Sequence, residues 1–203
     1  AGYHFFGRSP LDQPVDPNSL EEKVRSLAYY VCIALPVESR DPTQDRSYHE
    51  SLDWCFRNIK DCIEKGIEYQ DKHPVQDVHP LNLATGDGKC ALHRAVEGEA
   101  PETLRLLLTH RAERTKPDLS VKNAEDITPF GLLMRRGLET PKKLACFWIL
   151  VNYMLAHNHC DNSCPIPLYA FREMKNDPAQ FASFKASAAR LKAKYVKEAS
   201  EAR

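Results

Sequence analysis

Four potential zinc ligands stand close together in His157-x-His159-Cys160-x-x-x-Cys164. Imidazole and thiolate are the donors that a tetrahedral zinc site takes, so this segment is a candidate metal loop. Its spacing is compact, and adjacent His159 and Cys160 have difficulty pointing at one ion. A polar loop between helices accounts for the same residues without a metal. A second chemistry would pair Cys32 or Cys90 with a histidine as nucleophile and base. Nothing in the sequence orders such a pair, and neither cysteine lies in a recognisable catalytic context. There is no Gly-rich phosphate loop, no Gly-x-Ser-x-Gly and no His-Glu-x-x-His. The third candidate is basic: Lys185, Arg190, Lys192, Lys194, Lys197 and Arg203, partly offset by Glu198 and Glu201. Such a helix could meet phosphates. No aromatic platform for bases accompanies it, and a solvated charged face on an amphipathic helix explains it equally well. The expectation is a non-catalytic chain without a cofactor, with zinc binding through 157–164 and nucleic-acid binding through the last helix as alternatives.

The elements that would position these residues read as all-α. Residues 1–18 carry Pro10, Pro14 and Pro17 and predict an extended or poorly ordered leader. Ser19 with Glu22 makes a capping box, Leu20, Val24, Leu27, Val31 and Leu35 repeat at helical spacing, and Pro36 is expected to stop that helix. Ser47 with Glu50 predicts a second capped helix with Leu52, Phe56, Ile59, Ile63 and Ile67 on one face. Thr140-Pro141 reads as the start of a helix bearing Leu144, Phe147, Trp148, Val151 and Leu155, and Asp177-Pro178 as the start of the last. The loop 157–167 separates them.

Bulk properties narrow the function classes. The 203 residues carry 28 Lys plus Arg against 28 Asp plus Glu, so net charge makes no case for nucleic acid or an acidic membrane. No apolar run reaches the ~18 residues of a membrane span. The seven cysteines are an odd number and mostly sit in apolar helical runs, which fits an intracellular, cytoplasmic or nuclear, reducing setting. The chain begins with Ala, and we expect it to belong to a longer parent.

The segment Asp87-Gly88-Lys89-Cys90-Ala91-Leu92-His93-Arg94-Ala95-Val96 has a looser second copy in Asp126-Ile127-Thr128-Pro129-Phe130-Gly131-Leu132-Leu133. Gly88 supplies the positive φ of a tight turn. A short helix follows, with Leu92, Ala95 and Val96 inward. Pro101 then opens a helix whose buried side is Leu104, Leu107 and Leu108. Neither helix buries its apolar side alone, so adjacent units must cover each other.

These residues resemble the ankyrin-repeat family, whose unit opens with Gly-x-Thr-Pro-Leu-His. Gly88, Leu92, His93 and Ala95 match in register. Glu102, Leu106, Leu107, Leu108 and Ala112 fit the second helix and its exit, and Leu81-Asn82, Asn123 and Thr128-Pro129-Phe130 fit the flanking positions. The resemblance covers about 81–137. Cys90-Ala91 replaces Thr-Pro, Asp126 replaces the turn glycine, and Gly131 replaces the second histidine. Gly88 and Asp126 are 38 positions apart, against a family period of about 33, the extra residues falling near 115–119.

The resemblance implies a short helical repeat stack capped by flanking helices, the 47–70 helix covering one end and the 141–156 helix the other. The expected divisions are a 1–18 leader, a 19–78 cap, repeats with a terminal helix over 79–157, and a loop with C-terminal helices over 158–203. It implies an adaptor or scaffold that binds a partner protein on a concave face formed by first helices and finger loops. The exposed positions there are Arg94 and Glu97, then Leu132, Arg135 and Arg136. The finger candidates are Thr85, Asp87 and Lys89, then Lys122, Asn123 and Glu125. Arginine is favoured at interface hot spots, and Arg94, Arg135 and Arg136 point to an acidic or carboxylate-bearing peptide. His93 is expected to make structural hydrogen bonds within the turn.

Overall fold

Among the described residues, nine α-helices and one 3-10 turn make up the regular structure and no strand occurs. The computed structural model describes residues 17–74, 79–161 and 166–202, so the expected leader up to residue 16, together with Cys164 and Arg203, lies outside them.

Helix α1 (Pro17–Glu38) begins two residues before the expected cap, which places Ser19 inside its first turn, where it accepts from Lys23 Nζ. Pro36 does not stop α1. A proline in the last turn removes one amide, and the helix runs on to Glu38. Helix α2 (Tyr48–Lys72) starts where expected but without the capping box. The Ser47 side chain makes no cap bond, because its backbone is already helical (φ −89°, ψ −1°) and not the extended form of a cap; its amide and its hydroxyl donate to Asp45 Oδ1. The two helices pack along one another through Leu27, Val31, Leu52, Ile59 and Ile63.

The 3-10 turn Pro80–Asn82 follows, then α3 (Ala91–Glu97), α4 (Pro101–Thr109), the single turn α5 (Ala112–Thr115), α6 (Pro129–Arg136), α7 (Pro141–Ala156), α8 (Leu168–Met174) and α9 (Pro178–Glu201). Helix α3 packs on α4 and on α6, and α4 packs on α7, which in turn meets α6. The stretch near 115–119 is held in place. Asn82 donates to the Lys116 carbonyl at 3.0 Å and accepts from the Asp118 amide at 2.9 Å, Tyr153 donates to the Pro117 carbonyl, and Leu119 is buried.

The expected caps are corrected at both ends. It is α1 that lies against α3 and α4, while α2 meets the 3-10 turn and α5. The reason is on α1's own surface: Ala34 is small and fully buried, and Leu35 rests on Gly98, where a Cβ would sit 2.8 Å from its methyl groups. Helix α7 is not terminal. It buries Cys146, Phe147, Leu150, Val151 and Met154 and half-buries Leu144, Trp148, Ile149, Tyr153 and Leu155, a girdle too wide for a helix with one side in water. Phe147 and Trp148 are covered from beyond by Phe171, Phe181 and Phe184 of α8 and α9. One cluster of buried side chains runs from Leu27 to Ala188.

One buried carboxylate fastens α1 to the helices beyond it. Ala100, the N-cap of α4, has no side chain able to cap, and Glu38 does so from a distance. It accepts from the Glu102 amide at 2.6 Å, the Thr103 amide at 3.1 Å and the Thr103 hydroxyl at 2.6 Å. A carboxylate at a helix N-terminus meets both free amides and the positive end of the dipole.

Candidate functional site

Two finger turns carry the same hydrogen bonds. In the first, the Thr85 amide donates to the Lys89 carbonyl and the Gly88 amide to the Thr85 carbonyl; in the second, the Asn123 amide donates to Ile127 and the Asp126 amide to Asn123. Gly88 has φ +79° and Asp126 φ +62°, so Asp126 keeps the left-handed conformation that its short polar side chain tolerates. Each turn is braced from within. Asn123 Oδ1 accepts from the amides of Glu125 and Ile127, and Asp87 Oδ1 from that of Lys89. The turns lie side by side: a Cβ on Gly88 would stand 2.6 Å from that of Ala124.

His93 joins the two units. Fully buried, it donates from Nε2 to the Ile127 carbonyl at 2.7 Å, which leaves Nδ1 to accept from the Cys90 amide and thiol. Cys90 takes the N-cap of α3 that Thr128 takes in α6, where the Thr128 hydroxyl accepts from the Gly131 amide at 3.0 Å. His79 makes a matching link toward the N-terminus. Its Nε2 donates to the Ile63 carbonyl and its Nδ1 accepts from the Leu81 amide, in a space that Gly66 leaves open.

Few of the expected docking residues are idle. Arg94 is drawn down onto its own finger, donating to both Asp87 oxygens at 2.8 Å and to Thr85 Oγ1 at 2.6 Å, with only 16% of its side chain exposed. The Thr85 hydroxyl, ahead of the Lys89 amide and Arg94, holds the Asp87 carboxyl down at about 2. Lys89 pairs with Glu97 at 2.8 Å and Lys122 with Asp126 at 2.9 Å. Arg135 stands 3.9 Å from Glu125 and lies over the ring of Tyr195. Leu132 and Arg136 are half-buried, and Leu132 packs on the core. Helix α9 lies against α6, so part of that helix is covered by this chain itself.

The other candidate chemistries find less. Cys90 and His93 do come together, Sγ to Nδ1 at 2.9 Å, but burial pushes the thiol up and the imidazole down, opposite to what a thiolate–imidazolium pair needs. In the His/Cys loop, His157 Nδ1 donates to the Tyr153 carbonyl and its ring stacks on Tyr153 at 4.0 Å, while Cys160 is exposed. No three His, Cys, Asp or Glu side chains converge on a metal position among the described residues. The basic residues of α9 are dispersed: Lys192 pairs with Glu139, Lys194 with Glu198 and Lys197 with Glu201.

Sequence reasoning missed two features. Tyr29, Tyr30 and Trp54 form an edge-to-face aromatic cluster across α1 and α2, with Tyr29 and Trp54 exposed. Tyr29 and Trp54 lie off the apolar stripes of their helices, a signal the sequence offered, whereas Tyr30 is half-buried against the core. Glu139 holds both Lys143 and Lys192, which together depress its carboxyl to about 2; Lys143 stands four residues away, a spacing readable from sequence, but Lys192, 53 positions on, gives no such signal. No described helix is long and apolar enough to cross a membrane. No protein-family model, curated protein or solved structure matches the chain.

Proposed function

We propose that this chain is a non-catalytic protein-interaction module, an ankyrin-like stack of two units, α3–α4 and α6–α7, buttressed by α1–α2 and α8–α9. One observation carries the reading: two finger turns, 38 residues apart, repeat the same backbone hydrogen bonds and stand side by side at one edge of the stacked helix pairs. Rigid, adjacent loops of this kind present side chains in fixed relative positions, which lowers the ordering cost of binding a protein surface.

The chemistry of the face refines the partner. Asp87 with Arg94, Lys89 with Glu97 and Lys122 with Asp126 alternate in sign. A partner with both charges matches this pattern better than the uniformly acidic peptide suggested by the arginines alone. A reducing compartment accompanies the reading, because Cys55, Cys90 and Cys146 pack as small apolar side chains.

The test is capture of partners in cells, followed by affinity measurement with the recovered protein. Lys89→Glu with Lys122→Glu on the fingers is expected to weaken binding by about tenfold or more, ~1.4 kcal/mol. Arg105→Glu, exposed on α4 beside Glu102, is expected to leave it unchanged. Equal binding by the folded finger variant and the wild type refutes the finger face.

A further inference from the structure

Helix α9 changes character along its length. Its first half belongs to the core: Phe184 and Ala188 are buried, and Phe181 and Phe184 lie 6.2 and 5.3 Å from the Phe147 ring. After Ala188 no described residue of α9 is buried, and only Leu191, Lys192 and Tyr195 are even half-covered. The spacing of these three puts them on one side of the helix.

That side meets a shaped surface. Gly137, at the end of α6 with φ +85°, leaves a notch for the Lys192 stem, where a Cβ would come within 2.8 Å of Lys192 Cδ. The lysine then reaches Glu139 Oε1 at 2.5 Å, a carboxylate it shares with Lys143. Three residues on, the Tyr195 ring lies under the Arg135 guanidinium, 4.8 Å from centroid to carbon. The surface therefore reads a lysine followed by an aromatic ring on one turn of a helix. Apolar burial is slight here, and ion pairs and cation–π contacts between part-exposed groups are individually weak and screened by salt. The segment itself is rich in Ala, Lys and Glu, strong helix formers that keep it helical with little help from packing.

We infer that the α6 face is a helix-binding site which the chain fills with its own residues 189–201, and that a partner's basic amphipathic helix presenting Lys-x-x-aromatic displaces them. This rests on the interaction-module reading and assigns the second unit's share of the docking surface. The intramolecular segment acts as a competitor: the partner binds to the extent that it outcompetes a tethered helix of the same chemistry.

Hydrogen exchange on the full chain and binding of a labelled peptide of residues 186–203 test the idea. The double variant Lys192→Glu, Tyr195→Ala is expected to speed exchange over 189–201 by about tenfold, leaving 178–188 and the thermal midpoint unchanged. The peptide is expected to bind this opened chain about tenfold more tightly than the wild type, less so at high salt, and to lose that binding when Glu139→Lys or Arg135→Ala is added. Unchanged exchange over 189–201, or peptide binding indifferent to both Glu139 and Arg135, overturns the inference. The finger substitutions leave peptide binding intact, so partner capture lost with peptide binding retained, or the reverse, tells which of the two readings has failed.

Discussion

Replacing Glu38 with Gln tests how the N-terminal helices are joined to the rest. The carboxylate is 5% exposed and accepts three hydrogen bonds, two from the amides that open α4 and one from the fully buried Thr103 hydroxyl. A bond to a charged acceptor contributes about 1.5–3 kcal/mol, and a charge at a helix N-terminus up to about 2 kcal/mol. These overlap, and removing a buried charge returns part of its desolvation. Gln keeps one acceptor oxygen and turns an NH2 toward donors, so a loss of about 2 kcal/mol is expected. Ala leaves all three donors bare, and about 3–4 kcal/mol is expected. For a chain of this length the Gln variant should melt about 4–8 °C lower. Urea unfolding followed by far-ultraviolet circular dichroism gives the number, and a double-mutant cycle with Thr103→Val should return a coupling of about 1 kcal/mol. If Glu38→Gln unfolds within about 0.5 kcal/mol of the wild type, the remote cap contributes nothing and the reasoning fails. If the variant shifts one of two separate transitions, α1 and α2 do not unfold with the helices from α3 onward.

Two further outcomes follow, one from the buried histidines and one from Gly88. His79 and His93 are both neutral, their imidazoles pushed below the ordinary value, foremost by burial, and only partly raised by their bonds to Ile63 and Ile127. The unfolded chain therefore binds more protons than the folded one from near pH 6.5 downward; stability is full above about pH 7 and falls toward pH 5, with a slope of at most ~1.4 kcal/mol per pH unit for each histidine. Urea midpoints across pH 5–8 measure this, and an acid-side slope that survives His79→Gln with His93→Gln would show that other groups cause it. Gly88→Ala should destabilise by about 2 kcal/mol or more, from its φ of +79° and its approach to Ala124, whereas Gly86→Ala, facing open space, should be near neutral; equal melting temperatures for the two would contradict the abutting turns.

Much of the helix inventory follows from local chemistry. Thr140 and Asp177 cap α7 and α9 as their residue types require, accepting from the amides of Lys143 and of Ala179 and Gln180. The apolar periodicity of α2 predicts its buried face, and Gly88 its own left-handed turn. Ser47 departs from the expected capping box, since the Asp45 turn leaves its backbone helical instead of extended. Short elements such as α5 and α8 hold too few turns for a period to stand out.

The candidate site divides along the same line. Sequence alone determined which residues sit on the fingers and first helices, because turn chemistry and helical spacing act over a few residues. Tertiary structure alone decided which of them remain available. Arg94 is held by Asp87 within its own finger, Arg135 lies under Tyr195, and Lys192 crosses 53 positions of sequence to reach Glu139. Those partners are chosen by how α9 and the finger come to rest against α6 and α3, and pairings between charges distant along the chain have no period or local signature from which they could be read.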